Sequence, residues 1–128
     1  MKIKSSYTSG RNFGPVPVGR YIAEIVEATP STASTGTDYL FVDFLIIGPS
    51  HQGRHVFTKL FLTDKAGWKL SALLHFLGEQ PDAEIETESL IGRRVGIDVK
   101  VIDGFDGFER NEISRFRKIS NPGSQSQN

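Results

Sequence analysis

Alternating apolar and polar residues constrain the fold of this chain more than any other feature. In residues 94–102, for example, Val95, Ile97, Val99 and Val101 alternate with small or polar residues, which places the four side chains on one face of an extended strand. Turn residues, mainly glycine, proline and aspartate, separate the segments that have strand character. The sequence therefore predicts five strands, over Arg20–Ala28, Tyr39–Ile47, Arg54–Leu62, Arg94–Ile102 and Phe108–Phe116.

One segment has helical periodicity instead. Lys65–Leu77 follows Asp64, a suitable N-cap residue, and precedes Gly78, which readily takes the left-handed conformation that ends helices. The apolar residues predicted to form its buried stripe are Trp68, Ala72, Leu73, Phe76 and Leu77.

The predicted element order is β-β-β-α-β-β. A meander of strands, one helix and a final hairpin is the arrangement of the OB-fold, a five-stranded, partly open barrel. We therefore predict an all-β fold with one helix, closed as an OB-fold barrel. The alternative is a five-stranded sandwich covered by one helix.

The length of 128 residues suits a single domain. Residues 1–20 carry four basic residues and no acidic one, and the segment mixes Ser, Gly and Pro without periodicity. We predict a flexible basic N-terminal arm over residues 1–18, an OB-fold domain over 19–118 and a disordered polar tail over 119–128.

Composition excludes several classes of protein. The chain has no cysteine, hence no disulfide framework or thiolate metal site, and no apolar run of the roughly 18 residues that a membrane helix needs. We expect a cytoplasmic protein that makes no contact with the membrane. The net charge is zero, yet residues 79–88 hold five of the 15 acidic residues, which leaves 15 basic against 10 acidic residues elsewhere. The overall charge therefore does not decide whether the partner is a polyanion.

No motif indicates catalysis or a cofactor. His51 and His55 have an H-x-x-x-H spacing, but they fall on a turn and a strand start, where zinc binding is not favoured. Gly48–His55 lacks the Lys-Ser/Thr pair and the following helix of a phosphate loop. Neither a nucleophile–base arrangement nor a pair of catalytic carboxylates is visible. We expect no enzyme, metal or cofactor, and a small hydrolase is the least favoured alternative.

The second and third strands carry the most informative pattern, a row of aromatic side chains. If Leu40, Val42, Phe44 and Ile46 face the interior with Val56, Leu60 and Leu62, the opposite face bears Tyr39, Phe41, Phe57 and Phe61 together with His55 and Lys59. Pairing position 48 with 54 would set Asp43 opposite Lys59 and Phe41 opposite Phe61, both favourable cross-strand pairs.

Such a surface suits single-stranded nucleic acid. Aromatic rings stack on bases and basic side chains follow the phosphates, and in OB-folds this face forms the oligonucleotide groove. Phe105, in the predicted turn between the last two strands, is placed to close over a base. The alternative is that some of these rings pack against the N-terminal arm or a second subunit. The candidate DNA-binding residues are Tyr39, Phe41, Arg54, His55, Phe57, Lys59, Phe61, Arg94, Lys100, Phe105 and Arg110.

Several segments also resemble a known group of proteins. In chain order they are Phe13–Tyr21 (FGPVPVGRY), Gly53–Leu60 (GRHVFTKL), Trp68–Gly78 (WKLSALLHFLG), Leu90–Val99 (LIGRRVGIDV) and Phe108–Ile113 (FERNEI). Together they resemble the small phage and prophage proteins of replication–recombination gene clusters that are regarded as single-stranded-DNA-binding proteins. The C-terminal segment departs from bacterial single-stranded-DNA-binding proteins, which usually have an acidic tail ending in Phe, because Ser124–Asn128 is neutral and polar.

The resemblance implies an OB-fold protein that coats single-stranded DNA during phage replication or recombination, without catalysis, in the host-cell cytoplasm. It is also compatible with a homo-oligomer and with contacts to phage replication or recombination proteins. The alternative function is that of a phage structural or adaptor protein whose aromatic face contacts another protein.

Overall fold

A computed structural model describes residues 14–80, 84–104 and 107–119 of the chain. It contains five strands, β1 (Gly19–Thr32), β2 (Asp38–Gly48), β3 (His55–Phe61), β4 (Arg94–Asp103) and β5 (Glu109–Arg117), the helix α1 (Gly67–Phe76) and a 3-10 turn (Thr87–Leu90). The predicted class, all-β with one helix, is confirmed. Most strand boundaries agree with the prediction within one residue, but β1 continues four residues beyond the predicted end.

All five strands form one antiparallel sheet in the order β3-β2-β1-β4-β5. β3 and β5 are its edges and share no ladder of hydrogen bonds, so the sheet is not closed into the predicted barrel. The sheet nevertheless curls enough to bring Cα atoms of β3 and β5 within 8 Å of each other. This open seam between the two edge strands contains the candidate site.

The concave face of the sheet carries the core. The predicted inward residues of β2 and β4 are buried except Val101, which is half-buried, because alternation fixes which side of a strand faces the interior. β1 follows the same pattern. The fully or almost fully buried side chains on these strands are Tyr21, Ala23, Ile25, Leu40, Val42, Phe44, Ile46, Val95, Ile97 and Val99.

Two irregularities change the alternation. In β5 the register shifts between the Asp98 and Val99 pairs, so Ser114 is an extra residue and Ile113 and Phe116, three positions apart, both face the core. A similar shift at Val26 of β1 leaves Glu27 exposed and turns Ala28 toward the core. Strict alternation predicts neither feature.

The helix α1 packs on the core through a stripe that agrees with the prediction in part. Leu73, Phe76 and Leu77 contact the core as predicted, and Leu70 and Leu74 contact it as well. Trp68 is 59% exposed, so its predicted burial is wrong. A stripe at i, i+3, i+4 and i+7 built on Leu70 leaves Trp68 in the first turn, away from the sheet.

The predicted cap at Asp64 is also wrong, although the helix stop is confirmed. The helix begins two residues later than predicted and has no side-chain hydrogen bond at its N-cap, while the Thr63 hydroxyl accepts a hydrogen bond from the Ala66 N–H at 3.0 Å. Gly78 has a positive φ of 90°, the left-handed conformation predicted for the stop.

The register of β2 with β3 differs from the prediction by two residues. Ile46, and not Gly48, lies opposite Arg54, because the Ile46 N–H donates to the Arg54 carbonyl oxygen at 2.8 Å and the Ile46 carbonyl accepts from the Gly53 N–H at 2.9 Å. The connection therefore spans residues 47–53. A shift of two residues keeps every side chain on its predicted face. It changes which side chains are opposite each other, and Leu62, predicted to be inside, lies beyond β3 with 50% exposure.

Candidate nucleic-acid interface

An open groove of about 880 Å³ lies between the outer face of β3 and the start of β5. Its floor and rims combine residues of β2, β3, β5 and the segment before β1. The groove brings together six of the predicted site residues, which are Phe41, Arg54, His55, Phe57, Lys59 and Arg110. It exists because β3 and β5 approach each other without pairing.

Three rings in the groove are nearly parallel to one another. The ring centroids of Phe41 and Phe57 are 5.8 Å apart with an interplanar angle of 21°, and those of His55 and Phe57 are 6.2 Å apart at 16°. Phe57 is the central ring of this stack and is 55% exposed. We call His55, Phe57 and Phe41 the ring stack. A flat, partly exposed aromatic surface is the kind on which a nucleic-acid base can stack.

A second aromatic pair lies farther along the same face. Tyr39 is directly opposite Phe61 in the observed register, and their centroids are 5.3 Å apart at 49°. The Lys59 Nζ atom lies 5.2 Å from the centroid of the Tyr39 ring, a cation–π contact. The predicted Phe41–Phe61 and Asp43–Lys59 pairs are therefore wrong, since the shift of two residues places Lys59 opposite Phe41 and Phe57 opposite Asp43.

Asp43 pairs with a histidine instead. Its Oδ1 atom lies 2.8 Å from Nδ1 of His55, its diagonal neighbour on β3. The carboxylate accepts a hydrogen bond when Nδ1 is protonated, which fixes the plane of the imidazole ring beside Phe57. This contact thus orients one end of the ring stack.

The cations of the groove come from both of its sides. Arg54 and Lys59 lie on the β3 side, Arg110 lies on β5, and Glu109 is the acidic residue among the lining side chains. The Arg54 guanidinium also donates a hydrogen bond to the carbonyl oxygen of Gly14. The groove therefore combines aromatic rings with an excess of positive charge, a combination suited to a polyanion that carries planar bases.

The segment just before β1 fills part of the seam. Val16 is fully buried, and its backbone N–H and carbonyl both hydrogen-bond to the Asn111 side chain at 2.9 Å. In the sequence, Asn111 stands out only as part of Phe108–Ile113, one of the segments that resemble the phage proteins. An asparagine within a predicted strand is unusual, and this is the signal that could have indicated a side-chain role.

Tyr21 of β1 also binds the segment that precedes β1. Its hydroxyl donates to the carbonyl oxygen of Pro17 at 2.6 Å. Burial raises the pKa of Tyr21 above its usual value of 10.0, and the nearby Arg54 guanidinium opposes this rise. Gly14 and Pro15, which precede the held residues, form one rim of the groove.

The remaining predicted site residues lie elsewhere. Arg94 forms an ion pair with Glu24 at 3.3 Å on the opposite half of the sheet, and Lys100 is an exposed residue opposite Glu112. Neither residue lines the groove. Phe105 lies outside the described residues.

Two further features of the described residues bear on function. Within 14–80, 84–104 and 107–119, no group of three or more His, Asp or Glu side chains is arranged to hold a metal ion. No helix in that part of the chain is long and apolar enough to span a lipid bilayer.

A family model covers nearly the whole chain. Residues 1–126 match the model of a family described as "Protein of unknown function (DUF669)". No curated protein matches the chain.

Proposed function

The chain belongs to the DUF669 family, and we propose that it is a non-catalytic protein that binds single-stranded DNA largely independently of sequence. The observation that carries this proposal is the groove between β3 and β5, which holds an exposed ring stack and basic residues on both sides. Stacking accepts any base, because every base has a π-face, and this accounts for binding without sequence preference.

Single strands fit this groove better than a duplex does. In a duplex the flat faces of the bases are already stacked on one another, whereas a single strand can turn them toward Phe57 and Phe41. Each base–aromatic contact contributes about 1–3 kcal/mol in comparable proteins. Arg54, Lys59 and Arg110 neutralise phosphates, which releases counterions and makes the affinity depend on salt.

We further propose that the fold is an open variant of the OB-fold. The sheet order β3-β2-β1-β4-β5, the helix between β3 and β4, and the approach of β3 to β5 support this assignment. In OB-folds the face of the second and third strands binds oligonucleotides. The ring stack lies on the corresponding face of this sheet.

The biological setting follows from the resemblance of the chain to phage and prophage proteins. We propose that the protein acts in the host cell during phage DNA replication or recombination, where single strands are exposed. Proteins of those processes are the partners that we expect.

Fluorescence anisotropy of a labelled oligo-dT tests the proposal. We expect saturable binding at low salt that weakens steeply at moderate salt, and weaker binding of a duplex of equal length. Undetectable binding of oligo-dT at low salt would contradict the proposal. A stable protein assembly that is indifferent to the oligonucleotide would instead favour the adaptor function.

A further inference from the structure

A hollow of about 300 Å³ lies on the outer side of the sheet, where the starts of β1 and β4 meet the end of β5. Residues that line it include Arg20, Ile22, Gly96, Arg117 and Lys118. We propose that this hollow is a second nucleotide subsite, which binds the part of a single strand that extends beyond the ring stack. This inference rests on the proposed function, and it lengthens the DNA path by a site outside the groove.

Two glycines leave the backbone bare around Ile22. Ile22 of β1 is paired with Gly48 of β2 on one side and with Gly96 of β4 on the other, and Gly96 is paired with Arg117 of β5. Paired residues share one face of a sheet, and Ile22 follows the inward-facing Tyr21, so this row faces outward. Glycines within strands mark places where a ligand can approach the backbone closely. The half-buried Ile22 side chain thus forms the apolar floor of the hollow.

Positive charge surrounds this floor. Arg20, Arg117 and Lys118 line the hollow, and the described residues that line it include no carboxylate. Asp98 lies beside the rim, where its carboxylate accepts a bond from Arg117 Nε at 2.8 Å and lies 3.8 Å from Arg20 Nε. Three cations against this one carboxylate leave an excess of positive charge. A phosphate is attracted to such a rim, and the sugar or base attached to it can lie on the apolar floor.

The ring stack leads toward the hollow. Phe57 and His55 lie opposite positions 43 and 45 of β2, so the order Phe41, Phe57, His55 follows β2 toward its last residue, Gly48. Gly48 is the residue paired with Ile22. A strand that stacks on the three rings in turn is therefore directed to the row that contains the hollow.

The distance from the stack to the hollow is short. His55 is paired with Leu45, and Leu45 is paired with Glu24 of β1, two residues from Ile22. Neighbouring strands are about 4.8 Å apart and each residue rises about 3.3 Å, so Ile22 lies roughly 12 Å from His55 along the sheet. Glu24 lies on this path, but its carboxylate is 3.3 Å from the Arg94 guanidinium, which offsets its repulsion of phosphate.

A single thiol in the hollow tests whether DNA occupies it. The chain has no cysteine, so Ile22→Cys introduces one reactive group into the floor. Ile91→Cys is the control, because Ile91 is 45% exposed and lines neither the groove nor the hollow. The rate of modification by N-ethylmaleimide is measured by mass spectrometry at low salt, with and without saturating oligo-dT.

The length of the oligonucleotide separates the hollow from the ring stack. Lengths of about 4 to 16 nucleotides cover the site sizes of OB-folds. The longest strand should slow modification of Ile22→Cys severalfold and leave Ile91→Cys unchanged. The shortest strand that saturates the protein should leave both rates unchanged, because it occupies the ring stack without reaching the hollow.

Removal of two rim cations provides an independent test. Arg20→Gln/Lys118→Gln leaves Asp98 bound to Arg117. The control variant is Lys65→Gln/Lys100→Gln, which removes the same charge from exposed residues outside both sites. Each phosphate contact contributes about 0.7 to the salt slope of a single strand, so the rim variant should lose about 1.4 from the slope for the longest strand. The ratio of wild-type to rim-variant affinity should then be about sevenfold larger at 50 mM than at 200 mM salt.

The slope for the shortest strand should be the same in the rim variant and the wild type, and the control variant should keep the wild-type slope at every length. Because the thiol and the charge variants change different residues, each one tests the hollow if the other does not fold.

The outcomes separate the two proposals. If the wild type binds oligo-dT but the longest strand neither protects the thiol at position 22 nor loses slope in the rim variant, the hollow is wrong and the proposed function stands. Equal protection by the shortest strand, or an equal loss in the control variant, would also overturn a second subsite beyond the ring stack. If the wild type binds no oligo-dT at low salt, the proposed function itself fails.

Discussion

The side-chain amide of Asn111 forms two hydrogen bonds with the backbone of Val16. Its Oδ1 atom accepts from the Val16 N–H and its Nδ2 atom donates to the Val16 carbonyl, both at 2.9 Å. This is the pair of bonds that a residue of a neighbouring strand would supply. Nδ2 also lies 3.3 Å from the carbonyl oxygen of Lys100. One side chain thus connects β4, β5 and the segment that precedes β1.

The substitution Asn111→Ala should lower the free energy of unfolding by about 1–3 kcal/mol, because the backbone groups of the buried Val16 lose their partners. Urea denaturation followed by circular dichroism measures the change. Ser114→Ala on the same strand is the control, since Ser114 is exposed and its hydroxyl makes a longer bond of 3.2 Å to the Asp98 carbonyl. Equal losses in the two variants would contradict a special role for Asn111.

Phe57→Ala should weaken oligo-dT binding by about 1–3 kcal/mol, the contribution of one stacked base. The ring is 55% exposed, so Phe57→Ala should lower the free energy of unfolding less than Phe116→Ala does. Phe116 lies in the core, and we expect its substitution to lower the free energy of unfolding by about 3–5 kcal/mol. Binding is measured by anisotropy and stability by urea denaturation.

The control for binding is Phe108→Ala. Phe108 is 72% exposed but does not line the groove, so its loss should leave the affinity close to that of the wild type. If Phe57→Ala reduced only the stability, the ring stack would belong to the fold and not to the binding site.

Strand faces could be predicted from the sequence, whereas the side-chain pairs could not. Alternation with a period of two determines that Phe41 and Phe57 point away from the core. A register shift of two residues preserves that pattern, so alternation could not distinguish the predicted Asp43–Lys59 pair from the observed Asp43–His55 contact. The register depends on the length of the connection between β2 and β3, which spans residues 47–53 and not the predicted 49–53.

Contacts between residues far apart in the chain could not be predicted from the sequence either. Asn111 and Val16 are 95 positions apart, and no local pattern indicates that they meet. The groove depends on the curl of the whole sheet, which brings β3 near β5. Charge alone therefore predicts a common role for Arg94, Lys100 and Lys59, although only Lys59 of the three lines the groove.

Single lysine substitutions test whether DNA contacts the basic residues that line the groove. Lys59→Gln should reduce the salt slope of oligo-dT binding by about 0.7, the contribution of one phosphate contact. Lys100→Gln removes the same charge from an exposed residue outside the groove and should leave the slope unchanged. Salt titrations of both variants measure the two slopes. An equal reduction would mean that DNA contacts a wider basic surface than the groove.

Alkaline pH should weaken the contact between Tyr21 and Pro17. Burial raises the pKa of Tyr21 in the folded chain above its usual value of 10.0, so the neutral hydroxyl is favoured by folding. The stability that this group contributes is complete below about pH 10, the unfolded value, and is lost as pH rises through the higher folded value.

The variant Tyr21→Phe isolates this effect, because it shares all other titrating groups with the wild type. At pH 7 it should be less stable by about 0.5–1.5 kcal/mol, the contribution of one hydrogen bond. Urea midpoints measured from pH 7 to about pH 11 should show the wild type approaching the variant as Tyr21 ionises. A difference that stayed constant over this range would contradict a raised pKa of Tyr21 in the folded chain. The absence of any difference at pH 7 would mean that Tyr21 stabilises the segment before β1 through packing alone.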